Sequence, residues 1–546
     1  MKEELKKEIE KICLAGLGIS SKEEMYRWSD KSHNGGYWIK GLSEAADVLS
    51  KNKQTPILIC GDYDVDGDAS ISILTLAFKE AGFTDVRYRA PRRFSEGFGL
   101  NCSMVDEANS GIIITCDNGI AALDAVKKAK DKGLYVIVTD HHLPVRIDGN
   151  VILPEADIII DPNAIKGSAE FSGYCGAGIC YKLALELLGR DNAIMPKLEA
   201  LAACATVADV MELREENFVI VKEGLEHMKD RQTTKGLAAL LDEFKIEAPG
   251  SYDLGFRIGP AFNAPGRLID DGSLKSVELM SNDDDKEAAK KQARFLHNVN
   301  ERRKELVKKG TDKALKIISD AGMENDTFLV VSVPEVSEGV IGILAGQLTE
   351  KFGVPSIVFT DIGGGILKGS GRSSTVDLKD TLDKVSGYLV RYGGHAGAAG
   401  LSINAEGLDA FRNALISLTK DIPPLRPNND RYDIEIDLSE AEEAYDIIAC
   451  FAPFGQGNPD PVFKVNGFMP EPVKDGVIVK EVGNIGRKMS SGGISAVSFD
   501  DDLNKRLDGL KEGQTISVVG TLSANTFRGE TSLQIMANGI IKEERR

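Results

Sequence analysis

Short apolar runs recur along the first third of the chain, each closed by polar residues and followed by a helical pattern. Pro56-Ile57-Leu58-Ile59-Cys60 reads as a buried strand that leads through an acidic loop into a helix over 69–81. Ile112-Ile113-Ile114-Thr115 is a second strand, followed by a helix over 121–132. Tyr135-Val136-Ile137-Val138-Thr139 and Asp157-Ile158-Ile159-Ile160 are two more. Strands alternating with helices predict βαβ units and a mostly parallel sheet, whose ligands sit beyond the C-terminal strand ends. Residues 1–50 read as helical and charged, with a polar interruption from Ser29 to Gly36. Helices are expected over 173–188 and 197–210, and one long helix over 283–320. Phe328-Leu329-Val330-Val331-Ser332 opens a second α/β segment running to about residue 422. Pro423-Pro424-Leu425-Arg426-Pro427 reads as a linker, and 462–546 is strand-rich with turn punctuation, as in a small barrel. The expected fold class is therefore α/β with a C-terminal β-barrel. The expected divisions are 1–50 (N-terminal helices), 51–284 (parallel-sheet domain), 285–322 (long connecting helix), 323–422 (second α/β domain) and 423–546 (linker and barrel). No internal repeat or low-complexity tract interrupts this order.

Composition sharpens the picture without changing it. At 546 residues, 42% apolar and 27% charged, the chain has ordinary globular make-up, which excludes a disordered chain, a collagen or a small disulfide scaffold. The apolar runs are strand-sized, so no bilayer span is expected, and the charged start Met1-Lys2-Glu3-Glu4-Leu5-Lys6 shows no secretory signal. The 8 Cys are scattered without a CxxC pair, which argues for a reducing cytoplasm and against a zinc site. With 66 Lys and Arg against 84 Asp and Glu, the net charge is −18. A passive polyanion binder needs positive surface, so any nucleic-acid contact must be local.

The candidate chemistry lies at the strand ends. The first loop, Gly61-Asp62-Tyr63-Asp64-Val65-Asp66-Gly67, carries three alternating carboxylates, which raise one another's pKa unless a cation neutralises them. A solvated acidic turn or a calcium loop is the plain alternative, although the long ligand spacing and closing Glu of an EF-hand are missing. The second strand ends in Asp117-Asn118-Gly119, by itself just a turn. The third ends in Asp140-His141-His142, for which a capping or hydrogen-bonding pair is the plain account. Ala205-Thr206-Val207-Ala208-Asp209-Val210-Met211 places one Asp in apolar surroundings, where an unpaired carboxylate is costly and a partner is expected.

Jointly and in this order, GDYDVDG, TCDNG, TDHH and ATVADVMEL resemble the DHH phosphoesterase superfamily and, within it, the RecJ-type single-strand exonucleases. The resemblance continues through PRRFSEGFG (91–99), RIGPAFNAPGRL (257–268), SEGVIGILAGQL (337–348), GSGR (369–372), GGHAGAAG (393–400) and FGQGNPDPVF (454–463). It spans about 54 to 540.

The resemblance implies a metal-dependent 5′→3′ exonuclease of single-stranded DNA, acting in the cytoplasm in recombination and repair. Two divalent ions, Mn²⁺ or Mg²⁺, suit such a carboxylate and imidazole set. Asp117 would bridge them, Asp64 would serve one, and Asp66, His141 and Asp209 the other. Asp62 would be an additional or supporting ligand, His142 would contact the scissile phosphate, and Asp140 would orient the histidine pair. Arg93, Arg267, Ser370 and Arg372 match residues implicated in holding a 5′ phosphate, for which the bidentate guanidinium is suited. Asn263 is a further substrate contact. Without the resemblance, Arg267 and Arg372 would read as structural partners of carboxylates. The second α/β segment would be a DHHA1-type domain facing the metal site across a cleft, with His395 on substrate phosphate; read alone, His395 is a loop histidine. The long helix, rich in Lys and Arg, would join the two lobes, although a charged helix is ordinarily a solvated spacer. The barrel would be an OB-fold guiding the strand, with Phe527 and Arg528 as candidates, against a core Phe and a solvated Arg. Single-strand binding protein and helicase are candidate protein partners; none is a membrane.

Four departures stand out. Cys60 occupies a position where some members have His, and a thiol is a poor ligand for Mg²⁺. Ser337 and Ala261 replace an expected His and Arg, and Asp68 adds a carboxylate after the metal loop. The chain ends soon after the OB segment, so the extra C-terminal domain of some members is not expected. Two rival functions remain open at this point. One is a phosphoesterase of short oligonucleotides or small phosphate compounds, which the long helix and OB segment disfavour. The other is a non-catalytic DNA-binding scaffold, which the complete ligand set disfavours.

Overall fold

A computed structural model of the protein describes residues 1–34, 36–425, 430–472, 478–483, 486–527 and 530–542, with the backbone alone for 527 and 530. The chain forms two compact units. One comprises Met1–Asn263, Ser273–Arg294 and Asn429–Arg546, the other Ala264–Gly272 and Phe295–Asn428.

The first unit is built on strands β1 (Ile57–Cys60), β2 (Val86–Arg89), β3 (Ile112–Cys116), β4 (Tyr135–Thr139) and β7 (Ile158–Ile160), with a small hairpin β5 (Val145–Ile147) and β6 (Asn150–Ile152) before the last. They pair in the order β2-β1-β3-β4-β7, all parallel. β1 and β3 are buried throughout, which explains their unbroken apolar runs. β2, Val-Arg-Tyr-Arg, is an edge strand with exposed positions, and its charges hid it from the hydrophobic pattern. Parallel order with β1 and β3 adjacent brings the acidic loops after both strands to the same sheet edge.

Helix limits follow local chemistry. The first crossover helix runs Val65–Glu80, starting earlier than its apolar run suggests, because Asp64 caps it by accepting from the backbone N–H groups of Asp66 (3.1 Å) and Gly67 (3.2 Å). The interruption expected from Ser29 to Gly36 starts later, at Asn34, and the next helix begins at Leu42. A helix continues over Lys22–His33, its polar face left to solvent. The other expected helices appear as Leu123–Asp131, Gly176–Leu188, Met195–Ala208 and Lys286–Ala321.

The second unit carries β8 (Leu329–Ser332), β9 (Ser356–Asp361), β10 (Ile366–Arg372), β11 (Leu389–Gly394) and β12 (Ala398–Asn404), ordered β11-β12-β10-β9-β8. Only β8 and β9 run parallel; the remaining pairs are antiparallel. Leu425, within the expected linker, donates its N–H to Gly353 O (2.8 Å) in this unit.

Returning to the first unit, β13 (Ile434–Asp437), β14 (Val462–Phe468), β15 (Lys480–Val482), β16 (Gly486–Ser491), β17 (Ile494–Ser498), β18 (Ile516–Phe527) and β19 (Glu530–Lys542) form one sheet in the order β13-β14-β18-β19-β17-β16-β15. Its core includes Phe451, Phe463, Phe468 and Val518, and also Ile9, Cys13 and Leu17 of the helix Glu3–Leu17. The N-terminal helix is thus a layer of the C-terminal sheet's core. The Met1 ammonium pairs with Glu443 at 2.7 Å on the same face. Among the described residues no helix is long and apolar enough to cross a membrane.

This packing has a measurable consequence. Ile9 is fully buried in that shared core, so Ile9→Ala should cost about 2–5 kcal/mol. Urea unfolding of the full chain should show it as a lowered midpoint of the transition that melts the C-terminal sheet. An unchanged midpoint would mean that the N-terminal helix adds nothing to that core.

Candidate metal centre

Four strand ends and one helix end supply the acidic residues. After β3 the chain turns at Asp117, whose φ of +62° lies in the left-handed region that few non-glycine residues adopt. Gly176 makes this turn possible, since a Cβ there would lie 2.5 Å from the Asp117 Cβ. After β4, Asp140 accepts from the N–H groups of Ile120 (2.9 Å), His141 (2.8 Å) and His142 (3.1 Å), and its Oδ1 meets His142 Nδ1 at 2.8 Å. Asp140 therefore orients both histidines' backbone and one ring. Asp66 accepts from Gly176 N (2.6 Å) and Ala177 N (2.8 Å) at the start of the helix Gly176–Leu188, where the helix dipole favours an anion. Asp209 closes the helix Met195–Ala208 at the opposite, unfavourable pole.

These side chains converge. His141 Nε2 lies 3.1 Å from Asp117 Oδ1, 3.7 Å from Asp66 Oδ2 and 3.8 Å from Asp209 Oδ2. Asp117, His141 and His142 each bring a ligand atom within 4.8 Å of the others, and so do Asp66, His141 and Asp209. Asp117 Oδ1 is buried and has no hydrogen-bond partner, although His141 Nε2 lies 3.1 Å away. A buried orphan carboxylate oxygen is costly unless a cation completes it. The donor set fits a hard or borderline divalent ion.

The electrostatics agree. Burial, then Asp66, Asp64 and Asp209, pushes the Asp117 carboxyl well above the usual range. Burial followed by Asp66 and Asp64 pushes Asp209 up to about 8, and burial followed by Asp64 pushes Asp62 up to about 7. The hydrogen bond to Asp140 raises His142 to about 9, and Asp140 itself is lowered, its bonds and the His142 charge outweighing burial. Burial pushes the Cys60 thiol up to about 12, and Cys60 stands in neither converging set.

Two placements differ from the expected ligand scheme. Asp64 stands outside both sets; its Oδ1 caps the helix Val65–Glu80, and it reaches the centre as one of the charges acting on Asp117, Asp209 and Asp62. His142 stands inside one set, beside Asp117 and His141. Asp62 accepts from Tyr63 N (2.8 Å) and Gly99 N (3.2 Å), a bracing position.

Of the expected substrate residues, Arg93 lies over the Tyr63 ring at 4.3 Å. Asn263 Oδ1 accepts from Val65 N (3.0 Å), so it braces the acidic loop. In the second unit, Arg267 is on the helix Gly259–Leu268, its backbone packed so tightly that a Cβ on Gly339 would lie 1.8 Å from its carbonyl oxygen. Arg372 Nη1 donates to Ser370 Oγ (3.1 Å) and Gly371 O (2.8 Å). It has no ion-pair partner among the described residues, and burial lowers its pKa. Gly342, in the first turn of the helix Ile341–Phe352, leaves space above both groups: a Cβ there would lie 2.9 Å from Arg372 Nη2 and 3.0 Å from Ser370 Oγ. His395 is exposed in a loop, its Nδ1 accepting from Gly397 N (3.3 Å). Arg528 and the Phe527 side chain lie outside the described residues.

Sequence reasoning gave no supporting role to Asn118, Asn163 or Asp161, and marked Asp68 only as an added carboxylate. Asn118 ties three segments, donating to Cys60 O (3.0 Å) and Cys116 O (2.9 Å) and accepting from Leu100 N (2.9 Å). Asn163 donates to His141 O (2.7 Å), and Asp161 accepts from Asn163 N (2.6 Å). Asp68 is buried against Ser273, which donates to it. The signal available for the middle pair was Asp161-Pro162-Asn163 directly after a buried strand, the same strand-end rule that marked the other loops.

Comparison with known proteins agrees with this layout. Residues 56–208 match the DHH family, N-terminal domain; 325–421 match the DHHA1 domain, and 432–539 the RecJ OB domain. The chain is 32% identical to the single-stranded-DNA-specific exonuclease RecJ of Escherichia coli, over 96% of this chain and 94% of that protein. It is 31% identical to the RecJ of Salmonella typhimurium, over 96% and 94%. A crystal structure of RecJ with Mn²⁺ from Thermus thermophilus superposes with a TM-score of 0.76 at 25% identity, covering 98% of this chain and 76% of that one. Strand-end carboxylates around a DHH histidine pair, a DHHA1 domain and a RecJ-type OB domain in one continuous match place the chain in the RecJ family of single-stranded-DNA-specific exonucleases.

Proposed function

We propose that the protein is a metal-dependent exonuclease that shortens single-stranded DNA from its 5′ end, in recombination and repair, with two Mn²⁺ or Mg²⁺ ions at the strand-end cluster. The observation that carries this reading is the convergence of Asp66, Asp117, His141 and Asp209 on points that no lysine or arginine of the described residues occupies. Asp117 would be shared, with Asp66, His141 and Asp209 around one ion and Asp64 serving the other. Bound ions supply an ionised water and offset charge on phosphate oxygens.

The chain's own groups do the rest. His142, held by Asp140 and raised to about 9, carries a proton at neutral pH and can donate it as a charged hydrogen bond to a phosphate oxygen. Asp62, Asn118, Asn163 and Asn263 keep the loops in register. Arg372 and Ser370, with the adjacent helix start, have the character of a site for a terminal 5′ phosphate, because a buried guanidinium without a carboxylate lacks an anion. Holding the 5′ end sets the direction of cleavage. His395 and Arg93 are additional phosphate contacts, and Arg267 another.

The direct test uses the full chain, Mn²⁺ and 3′-labelled single-stranded DNA with a 5′ phosphate, beside duplex, RNA and dinucleotide controls. Progressive shortening of the single strand from its 5′ end is expected, and Asp117→Ala should abolish it while leaving the circular dichroism spectrum unchanged. Cleavage of the dinucleotide alone would make the enzyme a small-substrate phosphoesterase, and cleavage surviving in Asp117→Ala would remove the metal assignment.

Arg372→Ala should lower kcat/KM on a 5′-phosphorylated strand by about 10- to 100-fold, the worth of a charged hydrogen bond, and much less on a 5′-hydroxyl strand. Equal losses on both would strip Arg372 of its phosphate role.

The raised carboxyls also fix a pH dependence. Without metal, the folded chain keeps protons on Asp117, on Asp62 until about 7 and on Asp209 until about 8, whereas the unfolded chain releases them near the ordinary 3.8. The folded state then binds more protons, so stability falls as pH rises across that window. His142 acts in the same sense. Its contribution is full below 6.5 and is lost as pH rises through about 9. The melting temperature of metal-free protein should drop from pH 6 to pH 8, and saturating Mn²⁺ should raise it more at pH 8. A larger Mn²⁺ effect at pH 6 would contradict the assigned proton loads.

A further inference from the structure

Beside the metal centre, in the same compact unit, lies an aromatic pair that the site has not used. Tyr252 and Phe256 are 61% and 69% exposed, and their rings stack with centroids 4.9 Å apart at an interplanar angle of 28°. Other aromatics, such as Tyr26 and Phe98, are equally exposed, so what marks this pair is that its two open rings stack on each other. Phe256 lies in a π-helical turn, Leu254–Ile258, a rare insertion frequent at functional sites. That turn packs on the end of the helix bearing Asp209. A Cβ on Gly255 would lie 3.6 Å from Val207 Cγ1, and one on Gly259 would lie 2.8 Å from Ala208 Cβ. The turn that carries Phe256 is thus packed on the end of the helix that Asp209 closes. The neighbouring Arg257 keeps its guanidinium at the same patch, 5.8 Å over the Phe244 ring and bonded to Asp253 Oδ1 (2.7 Å).

We propose that Tyr252 and Phe256 form a stacking platform for one nucleobase of the single strand whose backbone is held at the metal centre. The occupant is a base rather than a protein for two reasons. The turn that carries Phe256 packs on the helix that ends at Asp209, in a unit whose centre takes a single strand in the proposed reading, and the pair presents ring faces in a preformed stack that one more planar ring extends. Every base has a π-face, so such a platform holds DNA without reading sequence. Charge provides little of this contact, which suits a chain of net charge −18. The inference rests on the metal-centre assignment above. Phe256 and Tyr252 would position the strand and take no part in bond cleavage.

The test is an abasic scan on the full chain with Mn²⁺. A 5′-phosphorylated 20-mer carries a single abasic site at each successive position near the 5′ end, and initial rates give kcat and KM for each. The wild type should show one position where loss of the base raises KM about 5- to 100-fold with kcat little changed. Phe256→Ala should raise KM on the intact strand by a similar factor and erase that positional effect. Phe256→Trp should restore both, and Phe256→Leu, apolar but without a ring, should not. If Phe256→Ala shortens DNA with the wild-type abasic profile, the platform is wrong and the metal centre stands. Should Phe256→Leu match Phe256→Trp, the pair is apolar packing and the platform is likewise wrong. Absence of metal-dependent shortening in the wild type would overturn the centre and the platform together.

Discussion

Much in the first unit answers to one constraint: Asp62, Asp66, Asp117, Asp140 and Asp209 must be held close together, with Asp66, Asp117 and Asp140 buried. Burial and mutual repulsion both oppose this. The fold meets the cost unevenly. Asp62, Asp66 and Asp140 accept backbone N–H groups, so main-chain dipoles stabilise their charge where a lysine would otherwise be needed. Asp117 and Asp209 lack that support, and theirs are the most strongly raised carboxyls of the centre. The division separates bracing carboxylates from those left for an outside cation. It also explains why a parallel sheet suits the task. Adjacent β1 and β3 deliver two acidic loops to one edge, and the helices that follow offer their N–H groups there.

Holding the centre in shape uses small residues and local strain as well as hydrogen bonds. Asp117 in the left-handed region aims its carboxylate inward, and it can do so only because Gly176 leaves room. Gly67 plays the same part for the first loop, since a Cβ there would lie 2.6 Å from Asp62 N and O. Asn118 replaces a missing ladder by joining the ends of β1 and β3, and Asn163 pins the backbone of His141. None of these groups touches substrate in the proposed reading. Each removes a freedom that would otherwise let like charges move apart.

Much of this was legible in the residues. Unbroken apolar runs revealed β1, β3, β4 and β7 because both faces of those strands are buried, and the carboxylates and histidines announced themselves by falling at strand ends. β2 escaped because an edge strand tolerates arginines, and the helix Lys22–His33 escaped because Ser29 and Asp30 on a solvated face do not stop a helix. The different tasks of Asp64 and Asp66 could not be read either. Both belong to one alternating motif, and which one caps its own helix and which meets a distant helix start depends on contacts over a hundred residues away. The joining of residues 3–17 to the C-terminal core is likewise a long-range fact with no local signature.

The acidity of the chain, which first argued against a polyanion ligand, takes on a different meaning once the centre is resolved into its parts. Repulsion of DNA by distant surface carboxylates is screened within about 10 Å at ordinary ionic strength, so the net charge sets little beyond the approach. What decides retention is the sign of the groups a phosphate touches. At the centre that sign is conditional: carboxylates alone repel a phosphate, and the same carboxylates neutralised by divalent cations attract it. At Arg372 it is unconditional, because the guanidinium stays charged with no carboxylate of the described residues to quench it. In the proposed reading, grip on a phosphate end and engagement of the scissile bond are separable, the first governed by Arg372 and the second by bound metal.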